Sequence, residues 1–141
     1  MSTTLTRESV DAVSFFKAKL EFETGPYGVS EYIKKDTPVT IVDLRMPENF
    51  AKGHVPGAKN IQLDELDKNL SHFDKNKTIV VYCYNITCHL AARAALHLAE
   101  KGYKVQEMVG GWQEWEQAGL AKAEGQHEAA SCSTAKGSSC H

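Results

Sequence analysis

Apolar and polar positions along the chain follow two different periods. Two short runs, residues 39–44 (VTIVDL) and 78–82 (TIVVY), are almost continuously apolar and rich in β-branched residues. That pattern predicts strands buried on both faces. Residues 105–109 (VQEMV) predict a further strand, broken by Gly110-Gly111, and residues 59–62 a brief one after the turn chemistry of His54-Val55-Pro56-Gly57. Helical spacing marks residues 8–19, where Val10, Val13, Phe16 and Leu20 fall near one face. Leu20, Phe22 and Thr24 then alternate with charged residues, which predicts a half-exposed edge strand ended by Gly25-Pro26.

Residues 27–35 predict a short helix with Val29, Tyr32 and Ile33 inward, and Pro47 suits the first turn of another, PENFAKG. Residues 64–73 predict a helix, followed by a polar loop at 74–77. Residues 90–101 form an Ala/Leu-rich helix that Gly102 can close, and residues 112–117 a last short helix carrying both tryptophans. Strands alternating with helices predict an α/β fold with three α/β/α layers around a central parallel sheet of about five strands. Ligand sites in such sheets lie beyond the carboxyl ends of the strands.

Large apolar residues stop near Lys122, and AKAEGQHEAASCSTAKGSSCH is dominated by Ala, Ser and Gly. Such a segment cannot bury enough surface to fold alone. The expected plan is therefore an N-terminal helix and edge strand over residues 1–25, a folded domain over 26–121, and a flexible tail over 122–141. A chain of 141 residues with 42% hydrophobic and 24% charged residues is ordinary for a globular domain. The net charge of −2 argues against a nucleic-acid partner or an anionic membrane surface. No apolar run approaches the roughly 18 residues a membrane-spanning helix needs. The opening MSTTLTRESVDAV lacks a signal-peptide layout, so a cytoplasmic location is expected. In that setting the four cysteines, Cys83, Cys88, Cys132 and Cys140, read as reactive or metal-binding thiols rather than disulfides.

The candidate chemistry lies between the strand at 78–82 and the helix at 90–101. Cys83 stands where the strand ends, facing the free N–H groups and positive dipole end of the helix. That position favours a thiolate, the nucleophilic form.

Three stretches now resemble the rhodanese family of sulfurtransferases, over about residues 30–120. IVDLRMPENFAKGHVPGAKNI carries the Asp-x-Arg pair followed by Gly-His-x-Pro-Gly-Ala, VVYCYNITCHLAARAA occupies the cysteine loop, and GGWQEWEQAGL resembles the C-terminal signature. The resemblance implies a rhodanese-like fold and transfer of sulfane sulfur through a persulfide on Cys83. The partners it implies are a small sulfur donor, such as thiosulfate or a persulfide, and a thiol or protein acceptor. It implies no cofactor and no metal. A loop of backbone N–H groups suits the anionic persulfide.

The loop departs from the usual pattern. Cys88 takes the place of the usual Arg or Ser, the frequent loop glycine is absent with Ile86 nearby, and no arginine occurs between Cys83 and Arg93. A doubly charged donor such as thiosulfate gains from a bidentate Arg, so its place as donor is in question, and phosphatase-like chemistry is not expected. Cys88 is read either as a thiol that attacks the Cys83 persulfide, closing a disulfide, or as a small packing residue. His89 is read as a cation favouring a thiolate or as an exposed helix-start residue. Tyr84 and Thr87 shape the pocket or satisfy the loop backbone, and Asn85 completes the loop.

Asp43 and Arg45 are read as a pair bracing the neighbouring loop, His54 as fixing the turn before Pro56, and Trp112 and Trp115 as core. Two ideas attach to the tail: soft-metal binding by Cys132, Cys140 and His141, and acceptance of sulfur from Cys83 by a tail thiol. The rivals to a sulfurtransferase are a thiol–disulfide redox protein using Cys83 and Cys88, and a non-catalytic rhodanese-fold module that binds partner proteins.

Overall fold

The two β-branched runs form the middle of a five-stranded parallel sheet. The computed structural model describes residues 7–125. Within them, α1 (Arg7–Phe22), β1 (Glu23–Thr24), α2 (Pro26–Lys34), β2 (Val39–Asp43), α3 (Pro47–Lys52) and β3 (Lys59–Asn60) come first. After them come α4 (Leu66–Asn69), β4 (Thr78–Tyr82), α5 (Leu90–Glu100), β5 (Val105–Met108) and α6 (Gly111–Gln117). The strand order is β1-β5-β4-β2-β3, every pair parallel. Both edge strands are two residues long, which leaves little exposed ladder for another chain to join.

Side chains of a strand alternate between faces, and here that alternation sorts the core into two clusters. Val42, Ile79, Val81 and Cys83 face α4 and α5, packing with Leu66, Ala91, Ala94 and Leu98. Ile41, Val80, Tyr82 and Met108 face the other way, with Val29 of α2, Phe50 of α3 and Trp115 of α6. The α/β/α layering expected from the alternation of periods is thus present. Ala91, Ala94 and Leu98 fall on one helical face, and the small alanines let α5 lie close to the sheet. Full burial of a residue such as Leu98 contributes about 1.5–3 kcal/mol.

β2 and β4 are in register from Val39↔Thr78 to Asp43↔Tyr82, so their carboxyl ends coincide. The Leu44 N–H donates to the Tyr82 carbonyl at 3.0 Å, extending that alignment one step. Leu44 and Cys83 therefore leave the sheet side by side, at the edge where chemistry was expected.

Four expectations change. Residues 20–22 are helical, and the edge strand shrinks to Glu23–Thr24. Five alternating residues are too few to outweigh the good helix formers of KAKLEF, and Lys19 and Glu23 add an i,i+4 ion pair of 2.8 Å. The apolar positions of α1 are also not inward: Val13, Phe16 and, at 82% exposure, Leu20 stand open, with Phe15 and Phe22. The helix expected at residues 64–73 is broken into a 3₁₀ turn at Leu63–Glu65, the single turn α4, and a second 3₁₀ turn at Leu70–His72. Finally, the chain does not leave the domain at Lys122. Ala123 and His54 exchange backbone hydrogen bonds of 2.9 Å, and the Gly125 N–H donates to the Ala51 carbonyl at 2.9 Å. Backbone pairing needs no large side chains, which is why composition missed it. Cys132, Cys140 and His141, with the ideas attached to them, lie outside the described residues.

Candidate functional site

The site is built on a buried ion pair. Asp43, the last residue of β2, accepts from Arg45 Nη2 at 2.8 Å and from Nε at 3.1 Å, and from the Arg45 backbone N–H at 2.8 Å. The Tyr82 hydroxyl donates to Asp43 Oδ2 at 2.6 Å and accepts the Val55 N–H at 3.1 Å. Arg45 also donates to the Gly53 carbonyl at 2.6 Å, and its guanidinium lies 4.7 Å from the centroid of the Trp112 ring. Burial works against the Arg45 charge, but Asp43 and the Tyr82 hydroxyl outweigh it, so its pKa is raised. Burial first, and then the neighbouring Asp43 carboxylate, pushes the Tyr82 hydroxyl well above the usual tyrosine range. With those donors committed, Arg45 has no free fork for a substrate anion. It holds the segment from Met46 to Val55 against the end of the sheet.

His54 is fully buried and stacked on Phe50, ring centroids 3.7 Å apart. Its Nδ1 lies 2.8 Å from the Phe50 carbonyl, which can only accept, so Nδ1 carries the proton. Burial lowers its pKa, so the ring stays neutral, and Nε2 has no hydrogen-bond partner among the described residues. That geometry fixes a turn and offers no proton relay to Cys83.

Cys83 follows β4 directly and is 2% exposed. Two contacts from α6 pin the backbone around it: the Trp112 N–H donates to the Cys83 carbonyl at 2.8 Å, and the Gln113 N–H to the Tyr84 carbonyl at 3.0 Å. Gly111 makes this approach possible. Its φ is +61°, and a Cβ there would lie 2.5 Å from the Cys83 carbonyl oxygen. The sequence reading used the paired glycines as a strand break and missed this role; the signal was their position just before an aromatic helix.

The loop then folds back on itself. Asn85 accepts the Cys88 N–H on its carbonyl at 3.1 Å, a β-turn over residues 85–88. Its side-chain oxygen accepts the Thr87 N–H at 3.1 Å and the Thr87 hydroxyl at 2.8 Å. Tyr84 anchors the loop to α3, its hydroxyl accepting from the Met46 N–H and Asn49 Nδ2, both at 3.1 Å. Ile86, at the tip, is 70% exposed. His89 is exposed at the start of α5.

The turn brings Cys88 back onto Cys83. The Cys83 S–H makes a long contact of 3.6 Å to the Cys88 carbonyl oxygen, which sets the two cysteines side by side. Burial pushes Cys83 up to about 12, reinforced by its hydrogen bond to Cys88 and opposed by the Ala91 and Tyr84 N–H groups. For Cys88 burial also works upward. The Cys83 S–H, the Leu90 and Tyr84 N–H groups and the charge of Arg93 outweigh it, and its pKa falls below the ordinary thiol value. The two shifts run in opposite directions, Cys83 up and Cys88 down, which works against the thiolate expected on Cys83 and makes Cys88 the more readily ionised of the two. Arg93, although on α5 and outside the loop, acts on the outer thiol.

The Tyr84, Leu90 and Ala91 N–H groups thus converge on two adjacent sulfurs at the start of a helix. No group of three or more His, Cys, Asp or Glu able to hold a metal occurs among the described residues. No helix among them is long and apolar enough to cross a membrane.

The family model of the rhodanese-like domain matches residues 28–118. The thiosulfate sulfurtransferase GlpE of Coxiella burnetii is 30% identical over 86 residues, covering 60% of this chain and 78% of that protein. The HTH-type transcriptional regulator Rv0324 of Mycobacterium tuberculosis is 38% identical over 87 residues, covering 62% of this chain. This chain spans only 38% of that regulator's length. In the crystal structure of the BH2092 protein of Bacillus halodurans the fold recurs with a TM-score of 0.75 and 28% identity, over 82% of this chain and 86% of that one. The matched region takes in β2 to β5, the cysteine loop and all of α6, and the chain belongs to the rhodanese-like domain family.

Proposed function

We propose that the protein is a sulfurtransferase that carries sulfane sulfur as a persulfide on Cys83 and passes it to a thiol acceptor. The observation that carries this reading is the placement of Cys83. It sits at the carboxyl end of β4, with the Tyr84 and Ala91 N–H groups on its sulfur and its carbonyl pinned by α6. The similarity to a thiosulfate sulfurtransferase supports the same reading.

In the first half-reaction the Cys83 proton passes to the adjacent Cys88 thiolate as Cys83 Sγ attacks the outer sulfur of a donor R–S–SH. The donor S–S bond breaks, R–S⁻ leaves, and Cys83–S–SH remains. The loop N–H groups hold the charge on the new persulfide. In the second half-reaction an acceptor thiolate attacks the outer sulfur, takes it as a persulfide and returns Cys83. Two such steps predict ping-pong kinetics.

A singly charged donor, such as the persulfide of a small thiol, fits this site better than thiosulfate. A doubly charged anion gains most from a free arginine fork. Arg45 is committed to Asp43 and Gly53, and Arg93 stands on the exposed side of α5. The test is to incubate the chain with glutathione persulfide and, separately, with thiosulfate, then measure intact mass and thiocyanate formed on adding cyanide. Gain of one sulfur, faster from the persulfide and lost in Cys83→Ser, is the expected result. Thiocyanate formation unaffected by Cys83→Ser would overturn it.

A further inference from the structure

We propose that Cys88 is a built-in resolving thiol: when no acceptor arrives, it attacks the inner sulfur of the Cys83 persulfide, expels hydrosulfide and closes a Cys83–Cys88 disulfide. This rests on the persulfide reading above and adds a second outcome for the same sulfur, release as sulfide coupled to a redox switch of the loop.

The turn from Asn85 to Cys88 is what places the second thiol. Its 3.1 Å hydrogen bond returns the chain after four residues, and the Asn85 side chain holds the turn from inside through Thr87. Cys83 Sγ lies 3.6 Å from the Cys88 carbonyl oxygen, so the second cysteine is seated against the atom that becomes the inner sulfur. Cys83 is buried, whereas Cys88 is partly open and is the thiol whose pKa is lowered.

The balance is complete without an outside oxidant. The Cys88 Sγ–Cys83 Sγ bond forms, and the bond from Cys83 Sγ to the outer sulfur breaks. The sulfane sulfur takes the electron pair, keeps its own proton and leaves as hydrosulfide, the Cys88 proton passing to solvent, so it is reduced as the two thiols are oxidised. Attack on the outer sulfur would instead expel the Cys83 thiolate. Burial pushes that thiol up to about 12, which makes it a poor leaving group, so inner attack wins. Reopening the disulfide takes two electrons from a cellular thiol or dithiol.

The full chain is loaded with glutathione persulfide, freed of small molecules, and followed without acceptor for sulfide released and for intact mass. The expected course is loss of the added sulfur as sulfide, and then a mass two hydrogens below the dithiol. Peptide mapping should join the Cys83 and Cys88 peptides. Cys88→Ser should hold its sulfur, with release at least about tenfold slower, because the neighbouring thiol is lost. A chain with both Cys132→Ser and Cys140→Ser should behave like the original. Release that survives Cys88→Ser but stops in that double variant overturns the assignment, because the tail thiols then resolve the persulfide. Sulfur taken up and held by the unaltered chain, with no sulfide and no disulfide, overturns this inference and leaves the sulfur-carrier reading intact. No sulfur gain in either the original chain or Cys88→Ser overturns both.

Discussion

Replacing Gly111 by alanine tests whether α6 is what holds the cysteine loop in shape. The backbone there has φ +61°, a conformation that an L side chain adopts at about 1–2 kcal/mol. The new Cβ would also meet backbone, 2.5 Å from the Cys83 carbonyl oxygen and 3.0 Å from the Asn85 nitrogen, so no flexible side chain can yield. Either α6 or the loop must move. The hydrogen bonds at risk are Trp112 N–H to Cys83 and Gln113 N–H to Tyr84, each worth about 0.5–1.5 kcal/mol net. Reduced freedom of the unfolded chain returns about 0.4–1 kcal/mol. The expected loss is about 2–4 kcal/mol.

Gly119→Ala is the matched control. Its φ is +71°, yet nothing lies within 4 Å of a Cβ there, so only the backbone strain remains. Urea denaturation of the full chain, compared at equal slope, gives both values. Gly111→Ala should exceed Gly119→Ala by about 1–3 kcal/mol and should also slow persulfide loading. Equal losses, with loading unchanged, would refute the idea that close approach of α6 shapes the site.

Two more outcomes follow from the buried pair and the thiols. Asp43→Asn leaves Arg45 buried beside a neutral amide and should lose about 3–5 kcal/mol in the same denaturation, whereas a loss under about 1 kcal/mol would place the bracing elsewhere. Alkylation by iodoacetamide, mapped by peptide against pH, should modify Cys88 first, at a pH below that of an ordinary cysteine, because only a lowered pKa gives thiolate there. Cys83 should be modified only after Cys88, because burial raises its pKa. In Cys88→Ser the hydrogen bond and charge that raise Cys83 are gone, so its alkylation midpoint should move down; an unmoved midpoint would mean the thiols do not interact.

The central strands were legible because burial on both faces selects β-branched runs, and residues 39–44 and 78–82 have little else to be. The Asp-x-Arg pair, the Gly-His-x-Pro-Gly-Ala segment and the paired glycines were legible as motifs, and so was the family they imply. Where two local preferences nearly balanced, the sequence was less informative. Residues 20–22 alternate like a strand yet consist of helix formers, and residues 64–73 hold a helical pattern that the fold divides into a single α turn between two 3₁₀ turns. The exposed apolar residues of α1 show the limit of periodicity, since spacing puts side chains on one face without supplying anything to cover it.

By itself, then, the sequence determined the order of strands and helices, the sulfur atom at the end of β4 and the absence of a loop arginine, because each depends on residue type and local period. Only the tertiary structure decided how that sulfur behaves. The depth of Cys83, the return of Cys88 onto it, the reach of Arg93 to the outer thiol and the seating of Gly111 on the Cys83 carbonyl all join segments that are separate along the chain. A thiol at a helix start is expected to ionise readily. Burial and a neighbouring cysteine shift the two thiols in opposite directions, an effect of distance and desolvation that no spacing of residues can display.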